Sequence, residues 1–255
     1  LGGLVLAFLA SAIFGVDPRD VLIGLQGEER GSPTTQEIVP IDDRDSDFVK
    51  AVLGDTEDTW GRVFQQQVGA AYQPPKLVLF KGAVDSACGF AEAAMGPFYC
   101  PLDSKVYLDM SFFEQVKAAA GPDADFARAY AIAHEIGHHI QNQLGIAEQV
   151  RRLQSRADRQ TANQLSVRLE LQADCLAGIW GHSTAERGLV DEKAVKTAID
   201  TAAQIGDDYL QYQAKGYVVP EAFTHGSSEQ RMAWFIKGLK AGSIKQCDTF
   251  GKSGV

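Results

Sequence analysis

Apolar residues recur at helical spacing over residues 123–144, where Phe126, Tyr130, Ala133, Ile136 (or Gly137) and Ile140 follow at steps of three and four with no proline. Gly121-Pro122-Asp123 supplies a break and a cap before this run, and Gly145 supplies a stop after it. The same reading predicts a helix over 47–72, with Phe48, Val52, Trp60, Val63, Phe64 and Val68 as its apolar positions, Gly54 as a weak point and Pro74-Pro75 as its end. It also predicts a strongly helical segment over 167–181 and a final helix over 230–239. Lys76-Leu-Val-Leu-Phe80 and Val106-Tyr-Leu-Asp109 read as short strands. Ser111-Phe-Phe-Glu114 has the spacing of a capping box, so a helix should start there. A small sheet thus precedes the 123–144 helix. Such a sheet's edge can receive a peptide as an added strand, because main-chain pairing is indifferent to side-chain identity.

That helix carries the chemistry. His134, Glu135 and His138 spell H-E-x-x-H, and residues four apart on a helix lie on one face, so the two imidazoles can meet one ion. Imidazoles flanked by alanine, isoleucine and glycine are poor core residues unless something satisfies their nitrogens, and Zn2+ does so. Glu135 is offset by roughly 100° around the helix, where it faces the water rather than the metal and serves as general base. His139 points away from this face and reads as structural.

A catalytic zinc needs a third protein ligand. On the 167–181 helix, Glu170 and Asp174 stand one turn apart among apolar neighbours, with Ala177, Gly178 and Gly181 letting another helix approach closely. Two buried carboxylates need partners. Glu170 is the expected third ligand, and Asp174 the acceptor for a ring N–H of His134 or His138. The pattern H-E-x-x-H-x-x-G-x-x-H fails, because its Gly and His would fall at Gln141 and Leu144. His182, at the end of this helix, is expected to meet the last carbonyls. In the loop before the final helix, His225, or Arg231 at that helix's start, could supply a donor to the oxyanion formed in peptide hydrolysis.

Composition narrows the setting. With 255 residues and 45% hydrophobic content the chain can build one substantial domain, and a net charge of −9 argues against nucleic acid and against a broad anionic membrane surface. Residues 1–16, LGGLVLAFLASAIFGV, carry no charge and read as the end of a transmembrane anchor whose start lies upstream. Residues 17–40 are polar and rich in turn formers, a linker, so the folded domain should span 41–255. The charged stretch from Arg151 to Asn163 reads as a solvated helix or a lid.

Taken together, Cys88-Gly-Phe, Met95-Gly-Pro-Phe-Tyr-Cys-Pro, Val106-Tyr-Leu-Asp, His134-Glu-Ile-Gly-His-His, Arg168-Leu-Glu-Leu-Gln-Ala-Asp-Cys and Cys247-Asp-Thr-Phe resemble the bacterial neutral zinc metallopeptidase family, over nearly the whole chain. The Glu170/Asp174 pair and the stretch from Thr224-His225 to Arg231 also resemble the prenyl-protease and heat-shock membrane protease group of gluzincins, with Gly226 where that group has proline. The resemblance implies a mostly helical α+β domain of zincin-like, gluzincin type, its small sheet packed on the metal-binding helices. It implies His134, His138 and Glu170 as ligands, and His225 and Arg231 near the substrate. Cys88, Cys100, Cys175 and Cys247 lack C-x-x-C spacing, and an even count beside a membrane segment suggests disulfides outside the cytoplasm. Of three connectivities, Cys88 with Cys100 and Cys175 with Cys247 is preferred. The first would staple the loop before the 106–109 strand, expected at the edge of the sheet, and the second would tie the Glu170 helix to the C-terminus.

The expectation is therefore a zinc endopeptidase of peptide or protein substrates, held by a single-pass anchor in the bacterial cell membrane with its catalytic domain extracytoplasmic. The contrasting expectation is a zinc-stabilised, membrane-tethered binding or assembly factor. Glu135 discriminates against it, since a structural site has no use for a base and closes its fourth position with a protein ligand.

Overall fold

The computed structural model describes residues 44–92, 96–111 and 124–251. The expected anchor over 1–16, the linker over 17–40 and the helix expected to follow Ser111 lie outside the described residues. Among the described residues no helix is long and apolar enough to cross a membrane.

The fold is α+β and mostly helical. Helix α1, Arg44–Val63, buries Val49, Val52, Trp60 and Val63. The helix expected to run on to residue 72 instead widens into a π turn, Phe64–Val68. It stops at Gly69, whose left-handed backbone (φ 75°) lets its N–H close on the Phe64 carbonyl. Val68, expected among the apolar positions, is more than one-third exposed in consequence.

Strands β1 (Lys76–Phe80) and β5 (Lys105–Asp109) match the expected strands closely and pair in parallel. Between them the chain makes a two-stranded hairpin of β2 (Ala83–Ser86) and β3 (Gly89–Glu92), then β4 (Phe98–Cys100), which pairs antiparallel with β5. The sheet order is β1-β5-β4, so the 106–109 strand lies in the middle and β4 forms an edge. The Cys88–Cys100 disulfide ties that edge to the hairpin.

The helical layer comprises α2 (Ala124–Gln143), α3 (Ile146–Gln154), α4 (Arg159–Glu186), α5 (Glu192–Gln204), α6 (Asp207–Lys215) and α7 (Ser228–Ala241). Asp158 caps α4, Asp191 caps α5, and Ser227 with Gln230 forms a capping box on α7. In the charged stretch, α3 exposes Arg151 and Arg152, both paired with Glu148, before a turn into α4.

Helix α4 is the hub, and glycines set how closely its neighbours approach. A Cβ on Gly137 of α2 would stand 2.9 Å from the Ala173 carbonyl of α4. A Cβ on Gly178 of α4 would stand 2.2 Å from the Phe235 carbonyl, and one on Gly238 of α7 only 1.9 Å from the Cys175 carbonyl. The small-residue face of α4 at Gly178 and Gly181 thus receives α7, whereas α2 enters through its own Gly137. Ile132, Ile136 and Ile140, all fully buried, anchor α2 in the core. The second expected disulfide, Cys175–Cys247, joins α4 to the C-terminal 3₁₀ turn, Ile244–Cys247.

Candidate metal centre

The Gly137–Ala173 approach lays one turn of α2 against one turn of α4, and three candidate metal ligands, His134, His138 and Glu170, meet at that crossing. His134 Nε2 lies 3.1 Å from Glu170 Oε2, and His138 Nε2 lies 3.5 Å from Glu170 Oε1. One ligand atom from each of the three residues lies within 4.8 Å of the other two. Among the described residues these are the one such cluster of metal-ligating side chains.

The donor set fits zinc. Bonds of about 2.0–2.2 Å to nitrogen and oxygen put tetrahedral ligand atoms roughly 3.4 Å apart, and the two imidazoles stand 3.1 and 3.5 Å from the two oxygens of Glu170, close to that spacing. Two imidazoles and one carboxylate leave a fourth position to water or substrate, the composition of a catalytic rather than a structural site.

Behind the ligands each histidine has an acceptor at Nδ1. His134 Nδ1 lies 2.8 Å from Asp174 Oδ1, the expected partner. His138 Nδ1 lies 2.9 Å from Gln141 Oε1. Asp174 has no exposed surface, and its charge is spread over several donors. Arg231 grips both of its oxygens, Nε at 2.8 Å and a terminal nitrogen at 2.9 Å, and the Tyr130 hydroxyl donates at 2.5 Å. Burial pushes the Asp174 carboxyl up, but Arg231 and His134 outweigh it and hold the pKa down at about 2. Burial alone would push the His134 imidazole down; the Asp174 and Glu170 carboxylates override it and lift the pKa to about 10.

Arg231 therefore stands in the interior, 3% exposed, behind His134. Its remaining terminal nitrogen donates to the Ile205 carbonyl at 3.2 Å. At the crossing of α7 on α4 the guanidinium is directed to Asp174 and Ile205. His225 is differently placed. Asp207 Oδ1 stands 3.2 Å from its Nδ1, while Asp207 Oδ2 accepts the backbone N–H groups of Thr224, His225 and Gly226 at 2.7, 2.6 and 3.0 Å. Burial pushes the His225 imidazole down, but Asp207 and then the Glu170 charge raise its pKa. Glu135 is half-buried on α2, the helix against which edge strand β4 packs. Burial raises its pKa against the pull of the two imidazoles.

The other histidines have structural partners, although His182, expected to meet the last carbonyls of its own helix, meets one of α7 instead. His139 lies 2.6 Å from the Gln73 carbonyl and 3.1 Å from the Tyr99 hydroxyl, and His182 lies 2.8 Å from the Leu239 carbonyl. Residues not singled out by sequence reading are Gln141, Tyr130, Asp207 and Tyr99. Gln141 and Tyr130 carry a usable signal, standing three after His138 and four before His134 on the same helix face. Asp207 and Tyr99 reach the site only through the tertiary fold.

The chain matches, over residues 1–250, the model of a family described as "putative neutral zinc metallopeptidase". It is 46% identical over 254 residues to the uncharacterized protein YpfJ of Escherichia coli K12, covering 99% of this chain and 88% of that protein. It is also 42% identical over 193 residues to the uncharacterized protein Rv2575 of Mycobacterium tuberculosis H37Rv, covering 70% of this chain and 63% of that protein. No solved structure matches it.

Proposed function

Because the chain belongs to the neutral zinc metallopeptidase family, we propose that it is a zinc-dependent endopeptidase of zincin-like, gluzincin type, with Glu135 as general base and His134, His138 and Glu170 holding the metal. The observation that carries this reading is the convergence of three ligand atoms at one crossing, with a carboxylate of raised pKa on the adjoining residue. Zinc held there would polarise the scissile carbonyl and acidify a water molecule. Glu135 takes the proton from the attacking water and returns it to the leaving amine as the C–N bond breaks, and a raised pKa suits both transfers. His225, with Nδ1 committed to Asp207, turns its Nε2 to the developing oxyanion. Arg231 is a positioning residue that fixes Asp174, which in turn holds the His134 ring. The peptide adds as a strand along β4, the sheet edge whose Tyr99 hydroxyl meets His139 and Asn142 of α2.

The setting belongs to the same proposal: residues 1–16 anchor the chain in the membrane, 17–40 form a tether, and the domain works outside the cytoplasm on peptide or protein substrates. The uncharged apolar run and the two disulfides support this placement.

The test is hydrolysis of an unfolded protein mixture by the zinc-loaded chain beside Glu135→Gln, with the metal content of each determined. The expected result is one zinc in both, with the substitution lowering the rate by a factor on the order of 10²–10⁴. If both hold zinc and neither cuts any substrate, the endopeptidase reading fails and the zinc-stabilised binding factor takes its place.

A further inference from the structure

Gln141 accepts from one metal ligand, and what lies behind it extends far beyond the metal. The Gln141 amide nitrogen donates to the Leu169 carbonyl at 2.6 Å and to Gln172 Oε1 at 3.2 Å. The Gln172 amide nitrogen in turn donates to the Cys247 carbonyl at 2.8 Å. Gln141 and Thr249 have no exposed surface, Gln172 is 6% exposed, and Cys247 is closed off completely. The row runs from His138 on α2, across α4, to the C-terminal segment.

Its polarity is fixed at the far end. A backbone carbonyl can only accept, so Gln172 must present its NH2 to Cys247 and its oxygen to Gln141. Gln141 must then present its NH2 inward, to that oxygen and to Leu169, which leaves its own oxygen for His138. An oxygen at 2.9 Å requires a proton on His138 Nδ1. With the proton there, the lone pair of the neutral ring is on Nε2, the atom 3.5 Å from Glu170 at the metal position. The Cys247 carbonyl holds its place because Cys247 is bonded covalently to Cys175 of α4, one residue beyond Asp174. The segment is otherwise fastened by the Thr249 hydroxyl on the Arg168 carbonyl at 2.7 Å and by Gln67, which accepts from the Ile244 N–H at 2.9 Å.

We infer that the Cys175–Cys247 disulfide belongs to the apparatus that sets the metal ligand His138, with Gln172 and Gln141 as positioning residues that transmit the orientation of the Cys247 carbonyl to the imidazole. This rests on the zinc site proposed above but not on its catalysing hydrolysis. The disulfide thereby does more than close a loop: it makes zinc affinity depend on the oxidation state of a bond that touches neither the metal nor its ligands. The Leu169 carbonyl shares the task of orienting Gln141, so effects should grade down along the row.

The experiment measures zinc affinity by chelator competition, and the visible spectrum of the Co2+-substituted protein, in the full chain with both disulfides formed. Gln141→Met should weaken zinc binding by about 10- to 100-fold and shift the cobalt bands, because the ring loses its only acceptor at Nδ1 in this row. Gln172→Met should weaken it less, on the order of 3- to 10-fold, one hydrogen bond's worth. Cutting the bond with Cys175→Ala/Cys247→Ala should weaken it to a similar degree, and adding Gln172→Met to that variant should change nothing more, since the row is already broken. Cys88→Ala/Cys100→Ala should leave zinc affinity where it was. Unchanged affinity and cobalt spectrum in Gln172→Met, or full additivity of Gln172→Met with the cut disulfide, would overturn the inference. Should the double alanine variant not fold, the two glutamine variants decide alone. A wild-type chain that binds no zinc overturns the metal site itself, whereas one that binds zinc without hydrolysing peptides fails only the endopeptidase reading.

Discussion

Arg231→Met separates a positioning role from contact with substrate. The substitution keeps an unbranched side chain of similar length and removes the two bonds, 2.8 and 2.9 Å long, that hold both oxygens of Asp174. Asp174 has no exposed surface, so water cannot replace the guanidinium. Breaking a buried pair by removing one partner costs about 3–5 kcal/mol. At roughly 2–4 °C per kcal/mol for a domain of this size, the metal-free chain should melt about 10 °C lower. The loss should be partly recovered in Arg231→Met/Asp174→Asn, because the second change removes a buried carboxylate that has lost the larger of its two compensating charges, whereas two independent losses would add. The assay is thermal unfolding by circular dichroism of metal-free wild type, both single variants and the double variant, with zinc content and peptide hydrolysis recorded separately. A variant that melts within about 2 °C of wild type, loads a full zinc and yet fails to hydrolyse peptides would refute this reasoning and return Arg231 to the substrate.

Proton release should accompany zinc uptake: with His134 lifted to about 10 in the metal-free protein, the ring is charged at pH 6–9 and must lose its proton to bind. Affinity should therefore rise with pH by about tenfold per unit for each proton displaced, a dependence that fades only near pH 10. Calorimetry at pH 6 in buffers of different ionisation enthalpy checks it, and uptake with no net release contradicts it. Gly238→Ala drives a Cβ to within 1.9 Å of the Cys175 carbonyl, so the α4–α7 crossing must open; about 3 kcal/mol or more of stability should be lost, read as a lower melting temperature. Asp207→Asn leaves three backbone N–H groups facing an amide in place of a carboxylate and frees His225, so kcat/KM should fall on the order of 10- to 100-fold while zinc content stays unchanged.

How much of this was legible along the chain follows from how local each signal is. The metal helix was, because a period of 3.6 and a ligand step of four are both properties of one segment, and α2 matches the expected span to within a residue at each end that is described. The acidic pair on α4 was legible for a related reason: Glu170 and Asp174 one turn apart among apolar residues demand a partner, whatever it proves to be. Strands β2, β3 and β4 were not, since three or four residues are too few to show an alternation that separates a strand from a turn, even with Val84, Phe90, Phe98 and Tyr99 among them. Arg231 was legible as a cation near the start of a helix, but not as the partner of Asp174, which lies 57 residues away.

The direction in which Arg231 points depends on how deeply α7 seats on α4, and that depth is set by glycines. Read singly, Gly137, Gly178 and Gly238 are helix weakeners, each costing up to about 1 kcal/mol of intrinsic propensity. Their value exists only in combination with what they face: Ala173 for Gly137, Phe235 for Gly178, Cys175 for Gly238. Each of these contacts lies within a few residues of Glu170, Asp174 or Arg231, so the same close approaches that the local pattern penalises bring ligand, acceptor and cation to one place. Gly137 shows this inside the motif itself. It occupies one of the two unconstrained positions of H-E-x-x-H, where any side chain would preserve the ligand spacing on α2, yet a Cβ there would press the Ala173 backbone away and carry Glu170 with it. The motif sets which side chains of α2 face the candidate metal position, and the residue it leaves open decides whether Glu170 can reach it.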